Sequence, residues 1–88
     1  RTDIAFLGAD AVDRQGFVYN NSVDLATLLA KMAASAAAVY VVADHTKLGR
    51  SGLMQYGVLS RFAALITDSG APAASTSELE ANGVTVLR

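Results

Sequence analysis

The feature that most constrains the fold is an uninterrupted apolar run over residues 39–43, which passes directly into a polar turn over residues 44–49. A strand without polar interruption is typical of a parallel sheet, so we expect this run to be a strand buried on both faces. Ligands bind at the carboxyl ends of such strands. The turn contains an acid, a hydroxyl, a lysine and a glycine, which suits a phosphate. A solvated strand exit would explain the turn about as well.

The remaining segments predict an alternation of strands and helices. Residues 4–7 and 63–67 are apolar runs closed by turn residues, and residues 25–38 carry apolar side chains at the three- and four-residue spacing of a helix. The predicted strands are residues 4–7, 39–43, 63–67 and 84–87. The predicted helices are residues 25–38 and a short helix that begins near Ser75 or Ser77 and ends before Asn82-Gly83. Residues 49–57 are predicted to form a glycine-rich loop.

This order predicts a Rossmann-like α/β fold with three layers and a mostly parallel sheet. Asp10, Asp44 and Asp68 each follow one of the predicted strands. Because the carboxyl ends of parallel strands meet at one edge, we expect the three carboxylates to surround a single crevice. The alternative is that aspartate is common at strand exits, where it accepts hydrogen bonds from local backbone amides.

The composition excludes several classes of protein. The apolar fraction is 52% and the net charge is −1, which does not fit a disordered chain. The seven Lys and Arg residues are scattered singly, so the chain has no basic stripe for DNA. The longest apolar stretch, over residues 36–43, is far below the roughly 20 residues of a membrane span. With no cysteine, neither a disulfide framework nor a thiolate metal site can form, and the absence fits a cytoplasmic protein. We also expect no metal and no cofactor.

Five segments carry a recognisable pattern and spacing, namely residues 6–13, Gly16-Phe17, the helix ending in Met32, residues 43–49 and residues 65–68. At these residues the sequence resembles the C-terminal sensor domain of DeoR-family transcriptional repressors. Those repressors carry an N-terminal helix-turn-helix domain and sense a phosphorylated sugar or a related metabolite. The resemblance, together with a start at Arg1 rather than methionine, implies that residues 1–88 are one sensor domain and a fragment of a longer protein. DNA would then be bound only through the missing helix-turn-helix.

The sensor domain is similar in turn to ribose-5-phosphate isomerase, which has Asp-Gly-Ala-Asp and Asp-x-Ser-Lys motifs. Residues 7–10 and residues 44–47 resemble these motifs, with leucine in place of the first aspartate and threonine in place of serine. The resemblance implies that Asp10 binds sugar hydroxyls and that Lys47 lies near the charged groups of the ligand. The predicted ligand-binding residues are Gly8, Ala9, Asp10, Asp44, Lys47 and Asp68.

The position that corresponds to the catalytic base of the isomerase falls on Leu29, counted back from Lys47 without gaps. Leucine cannot abstract a proton, so the resemblance implies binding without turnover. The predicted function is therefore the effector-sensing domain of a repressor that binds a phosphorylated sugar or a similar anionic metabolite. The alternative is a fragment of a sugar-phosphate isomerase-like enzyme, with Asp24 as a substitute base only if the helix were shifted.

Three smaller features have competing interpretations. Residues 20–22 could cradle a phosphate, but capping of the following helix is favoured. His45 has no nucleophile or metal partner at suitable spacing, which favours a surface or hydrogen-bonding role. The apolar loop residues Leu53, Met54 and Tyr56 suit a homo-oligomer, although ordinary loop packing explains them equally well.

Overall fold

The computed structural model describes residues 2–88, which form two sheets and two helices. Two single turns of 3-10 helix, His45–Lys47 and Leu59–Arg61, lie in the connections. The strands and helices are β1 (Thr2–Gly8), β2 (Ala11–Val12), β3 (Phe17–Asn20), α1 (Val23–Ser35), β4 (Ala36–Val42), β5 (Met54–Val58), β6 (Ala64–Ile66), α2 (Ala73–Ala81) and β7 (Val86–Leu87).

The main sheet contains four parallel strands in the order β1-β4-β6-β7. Leu7 of β1 lies opposite Val41 of β4, which in turn lies opposite Leu65 of β6. This register brings the carboxyl ends of β1, β4 and β6 to one edge of the sheet. The predicted α/β class with a mostly parallel sheet is therefore confirmed.

A second sheet, which the sequence did not predict, consists of the antiparallel strands β2, β3 and β5. The expected loop over residues 49–57 is correct only as far as residue 53, because Met54–Val58 pairs with β3. The glycines that suggested a loop allow close packing instead. A Cβ atom on Gly57 would lie 2.5 Å from the Phe62 ring, and one on Gly52 would lie 2.6 Å from Cβ of Tyr19.

The two helices begin and end partly as predicted. The hydroxyl of Ser22 accepts a hydrogen bond from the Leu25 amide at 3.3 Å, so capping of α1 is confirmed. The helix ends at Ser35 and not at residue 38, because residues 36–38 pair with β1 as the start of β4. Helix α2 begins at Ala73, earlier than predicted, and its end at Ala81 before Gly83, with φ of 85°, is confirmed.

The main sheet has one covered face and one bare face within the described residues. Helix α1 and the second sheet pack on the covered face, whose side chains are Ala5, Leu7, Val39, Val41 and Leu65. The bare face carries Ile4, Phe6, Tyr40, Val42 and Ile66. Burial of residues 39–43 on both faces is therefore wrong, since no described element packs over Val42, which is 48% exposed.

No helix within residues 2–88 combines the length and the apolar character that crossing a membrane requires.

Candidate functional site

A cavity of about 530 Å³ lies at the carboxyl edge of the main sheet, between the exits of β1 and β4 and the start of α1. We call it the Asp10–Lys47 cavity. Five of the six predicted site residues line it, and the sixth, Asp68, does not. The lining residues are Gly8, Ala9, Asp10, Asn20, Leu25, Leu29, Val42, Ala43, Asp44 and Lys47.

Asp10 is held in place by the segment that leads into α1. Its Oδ2 atom accepts a hydrogen bond from the Asn21 amide at 2.9 Å, and its own amide donates to the Tyr19 carbonyl at 3.0 Å. Within residues 2–88 its Oδ1 atom makes no hydrogen bond. One carboxylate oxygen therefore fixes the side chain, and the other can accept a hydrogen bond from a ligand.

Tyr56 supports the backbone beside Asp10. Its hydroxyl donates to the Gly8 carbonyl at 2.7 Å, and its ring is buried. Burial raises the pKa of Tyr56, with a smaller contribution from the negative charge of Asp10, so the phenol stays protonated as a donor. This role of Tyr56 could not be predicted from a sequence pattern typical of a loop, because the position of Tyr56 depends on the pairing of β5 with β3.

The turn after β4 presents Lys47 to the cavity. Asp44 Oδ1 accepts hydrogen bonds from the hydroxyl of Thr46 and from its amide, the latter at 2.8 Å. These bonds lower the pKa of Asp44, that from the hydroxyl most. The Lys47 amide donates to the Asp44 carbonyl at 3.0 Å. Asp44 thus organises the turn as well as lining the cavity, and Lys47 is half-buried beside it.

Asp68 is engaged elsewhere. Its Oδ1 atom lies 3.0 Å from Nδ1 of His45 and accepts from the Gly70 amide at 2.9 Å. The hydrogen bond from His45 is the main cause of a lowered pKa of Asp68. Asp68 lines a smaller cavity that adjoins the Asp10–Lys47 cavity and shares Val42, Ala43 and Asp44 with it, but Asp68 does not line the larger one. The expectation that all three carboxylates surround one crevice is therefore wrong, and His45 has the hydrogen-bonding role that was favoured for it.

Asp44, His45 and Asp68 bring three possible metal-ligand atoms within 4.8 Å of one another. Each of these side chains is exposed, and each already has a protein hydrogen-bond partner. Those hydrogen bonds account for the grouping without an ion.

The wall that α1 contributes to the Asp10–Lys47 cavity is apolar. It consists of Leu25 and Leu29, and Asp24 is not among the lining residues. Leu29, 8% exposed, is the residue that stands at the base position of the isomerase pattern. The helix can thus pack against the carbon atoms of a ligand but brings no proton acceptor to it.

A second cavity of about 530 Å³ lies between the β2–β3 turn and α2. It contains none of the predicted site residues. Three charged residues line it, and each already has a partner. Arg14 Nε lies 2.9 Å from Glu78 Oε1, and the Asp13 carboxylate accepts hydrogen bonds from two backbone amides and from the Tyr19 hydroxyl. These contacts leave less free hydrogen-bonding capacity than the Asp10–Lys47 cavity has.

Comparison with known protein families gives a match over residues 1–69 to the family described as the DeoR C terminal sensor domain. The chain is 38% identical over 85 residues to the HTH-type transcriptional regulator GlpR of Haloferax volcanii, covering 97% of the chain and 33% of that relative.

Two relatives from Escherichia coli show the same pattern of coverage. The chain is 36% identical over 85 residues to a putative aga operon transcriptional repressor of strain O157:H7, covering 97% of the chain and 32% of the relative. It is 30% identical over 87 residues to the HTH-type transcriptional repressor CsqR, covering 99% and 33%. The chain thus spans about a third of the length of the curated relatives it matches.

Proposed function

Because the chain belongs to the family of DeoR C-terminal sensor domains, we propose that its Asp10–Lys47 cavity binds a phosphorylated sugar or a similar small anionic metabolite. The observation that supports this most is the grouping of two carboxylates and one ammonium at the carboxyl edge of a parallel sheet. Carboxylate oxygens accept hydrogen bonds from sugar hydroxyls, and the ammonium of Lys47 suits an anionic group.

The chain is a sensor domain of transcriptional regulators and not an enzyme, in agreement with its relatives. Leu29 on the cavity wall agrees with this conclusion, because isomerisation of a sugar phosphate needs a base beside the carbon acid. Occupation of the cavity would therefore act as a signal.

The proposed signal uses the three segments that meet at the cavity. A ligand that contacts Asp10 and Lys47 together would connect the exits of β1 and β4 across the start of α1. An effector shifts a conformational equilibrium only by its differential affinity for the two states. We propose that the liganded arrangement of these segments is the one that favours release of DNA.

Three further elements of the proposal concern the whole protein. Residues 1–88 would be a single C-terminal sensor domain, and DNA would be bound by a separate helix-turn-helix domain, as the names of two relatives suggest. The protein would be cytoplasmic, where its operator is. It would also act as a homo-oligomer.

The proposal is tested by thermal-shift measurements and isothermal titration calorimetry on the full-length protein. The probes are ribose 5-phosphate, fructose 6-phosphate and glucose 6-phosphate, each compared with its free sugar and with inorganic phosphate. At least one sugar phosphate should raise Tm. A ligand at a hundred times its Kd stabilises a protein by about 2.7 kcal/mol, which is readily measured as a shift in Tm.

The matched variants are Lys47→Met and Lys31→Met, which remove the same charge inside and outside the cavity. Lys31 is exposed on α1 and does not line the cavity. Since a hydrogen bond to a charged group contributes about 1.5–3 kcal/mol, Lys47→Met should weaken binding roughly 10- to 100-fold, and Lys31→Met should not. Absence of any response to sugar phosphates, or equal responses of both variants, would show that the assigned cavity is wrong.

A further inference from the structure

Asn20 is a buried polar residue on the wall of the Asp10–Lys47 cavity. It ends β3, two residues before the cap of α1, and is only 6% exposed. Its Oδ1 atom accepts a hydrogen bond from the Ser22 amide at 2.9 Å. The sequence of residues 20–22 favours capping of α1 over contact with a phosphate, but the three residues have different tasks in the structure.

The tasks differ in which atoms are used. Ser22 caps α1 through its hydroxyl, and Asn21 accepts a hydrogen bond from the Leu53 amide at 3.1 Å. Asn20 uses only its amide oxygen, and within residues 2–88 no hydrogen bond uses its Nδ2 atom. The fixed oxygen orients the amide group, which leaves the Nδ2 donor on the other branch of a side chain that lines the cavity.

The Nδ2 atom of Asn20 has no hydrogen-bond partner within residues 2–88, yet it is not sealed from solvent, since Thr67 Oγ1 is the buried side-chain atom left without a partner there. The donor is therefore accessible, on a side chain that lines the cavity. The local turn does not require this donor, since an aspartate at the same position would accept the Ser22 hydrogen bond equally well. What asparagine adds here over aspartate is the NH₂ group. A partner for that group is therefore to be sought in the cavity.

We propose that Asn20 is a ligand-binding residue and that its Nδ2 donates a hydrogen bond to an oxygen atom of the effector. This inference rests on the proposed function of the cavity. All four polar side chains line the Asp10–Lys47 cavity: Asp10 and Asp44 offer hydrogen-bond acceptors, and Asn20 and Lys47 offer donors. Such a mixture fits a polyhydroxylated ligand, because each hydroxyl both donates and accepts.

The test is Asn20→Asp in the full-length protein, measured by calorimetry with the same three sugar phosphates. This variant keeps the size of the side chain and the acceptor for the Ser22 amide. It replaces the Nδ2 donor by an oxygen acceptor, so that a third carboxylate group, besides those of Asp10 and Asp44, lines the cavity. Affinity for the sugar phosphate that binds the unmodified protein should fall at least about tenfold. The Tm of the variant without ligand should stay within about 2 °C of that of the unmodified protein, because the substitution removes no hydrogen bond within the protein.

Two further variants separate binding from folding. Ser22→Ala removes the helix cap alone, so it should lower Tm of the unliganded protein by several degrees and change affinity much less. Asn20→Ser keeps a local acceptor on a shorter side chain and should lose affinity as Asn20→Asp does. This second substitution decides the matter if Asn20→Asp does not fold.

The outcomes distinguish this inference from the function on which it rests. If no sugar phosphate binds the unmodified protein, the proposed function fails, and this inference fails with it. If one binds and a folded Asn20 variant binds it within about twofold of the unmodified protein, only the role of Asn20 is overturned.

Discussion

The covered and bare faces of the main sheet are built from alternating residues of the same strands. In β1, Leu7 points to the covered face and is 2% exposed, whereas its neighbour Phe6 points to the bare face and is 64% exposed. In β4, Val41 and Val42 are 0% and 48% exposed. The faces therefore differ in what packs on them and not in the kind of residue they carry.

The difference shows that an apolar strand sequence does not by itself determine burial. A parallel sheet normally carries packed elements on both faces, and the uninterrupted apolar run of β4 suits such an environment. Residues 2–88 supply α1 and the second sheet to one face only. The contribution of each strand residue to stability should consequently follow the face and not the hydrophobicity of the side chain.

The largest expected difference is between Leu7→Ala and Phe6→Ala. Truncation of a buried leucine costs about 2–5 kcal/mol, because transfer energy is lost and a cavity remains. Phe6 stacks on Tyr40 with ring centroids 5.4 Å apart but is otherwise exposed, so its truncation should cost below about 1 kcal/mol. Urea denaturation of the 88-residue chain measures both values.

The same pair of variants can contradict this difference between the two faces. Equal costs in the 88-residue chain would mean that the bare face is packed in solution, by self-association or by rearrangement. In any longer protein that covered this face, Phe6→Ala should instead approach the cost of Leu7→Ala. The two measurements together would then locate the covering layer on this face of the sheet.

A smaller difference is expected between Val41→Thr and Val42→Thr. Threonine has nearly the shape of valine, so the substitution changes polarity with little change in volume. At Val41 the hydroxyl would be buried among apolar side chains, at a cost of about 1–3 kcal/mol in the free energy of unfolding. At Val42 the hydroxyl would reach solvent and the cost should be close to zero. Similar losses at both positions would contradict the assignment of the faces.

Sequence patterns were sufficient where one local signal decides the structure. The caps at Ser22 and Gly83, the parallel strands and the grouping of Asp10 with Lys47 at one edge each follow from such a signal. Residues 36–38 illustrate the limit. Their alanines fit either a helix or a strand, and pairing with β1 decides for the strand.

Other features depended on contacts that no short pattern carries. The second sheet is built from strands as short as Ala11–Val12 and from the glycine-rich β5, so its existence rests on pairing between distant segments. Tyr56 reaches Gly8 only through that sheet. Asp68 leaves the predicted crevice because His45, 23 residues away in sequence, binds its carboxylate.

A small effect on stability is also expected from Phe6→Thr, which tests the exposure of the bare face through a different observable. Threonine keeps the strand preference of a β-branched residue and removes the most exposed aromatic ring of the bare face, so the free energy of unfolding should change by less than about 1 kcal/mol. Binding of the dye ANS and self-association at high concentration should both decrease, because contiguous exposed apolar surface drives them. Fluorescence titration and size-exclusion chromatography of the 88-residue chain measure these changes, with Thr27→Ser on the exposed side of α1 as the control. If the unmodified chain neither binds ANS nor self-associates, its bare face is covered in solution, and the contrast between the two faces would not hold for the isolated chain.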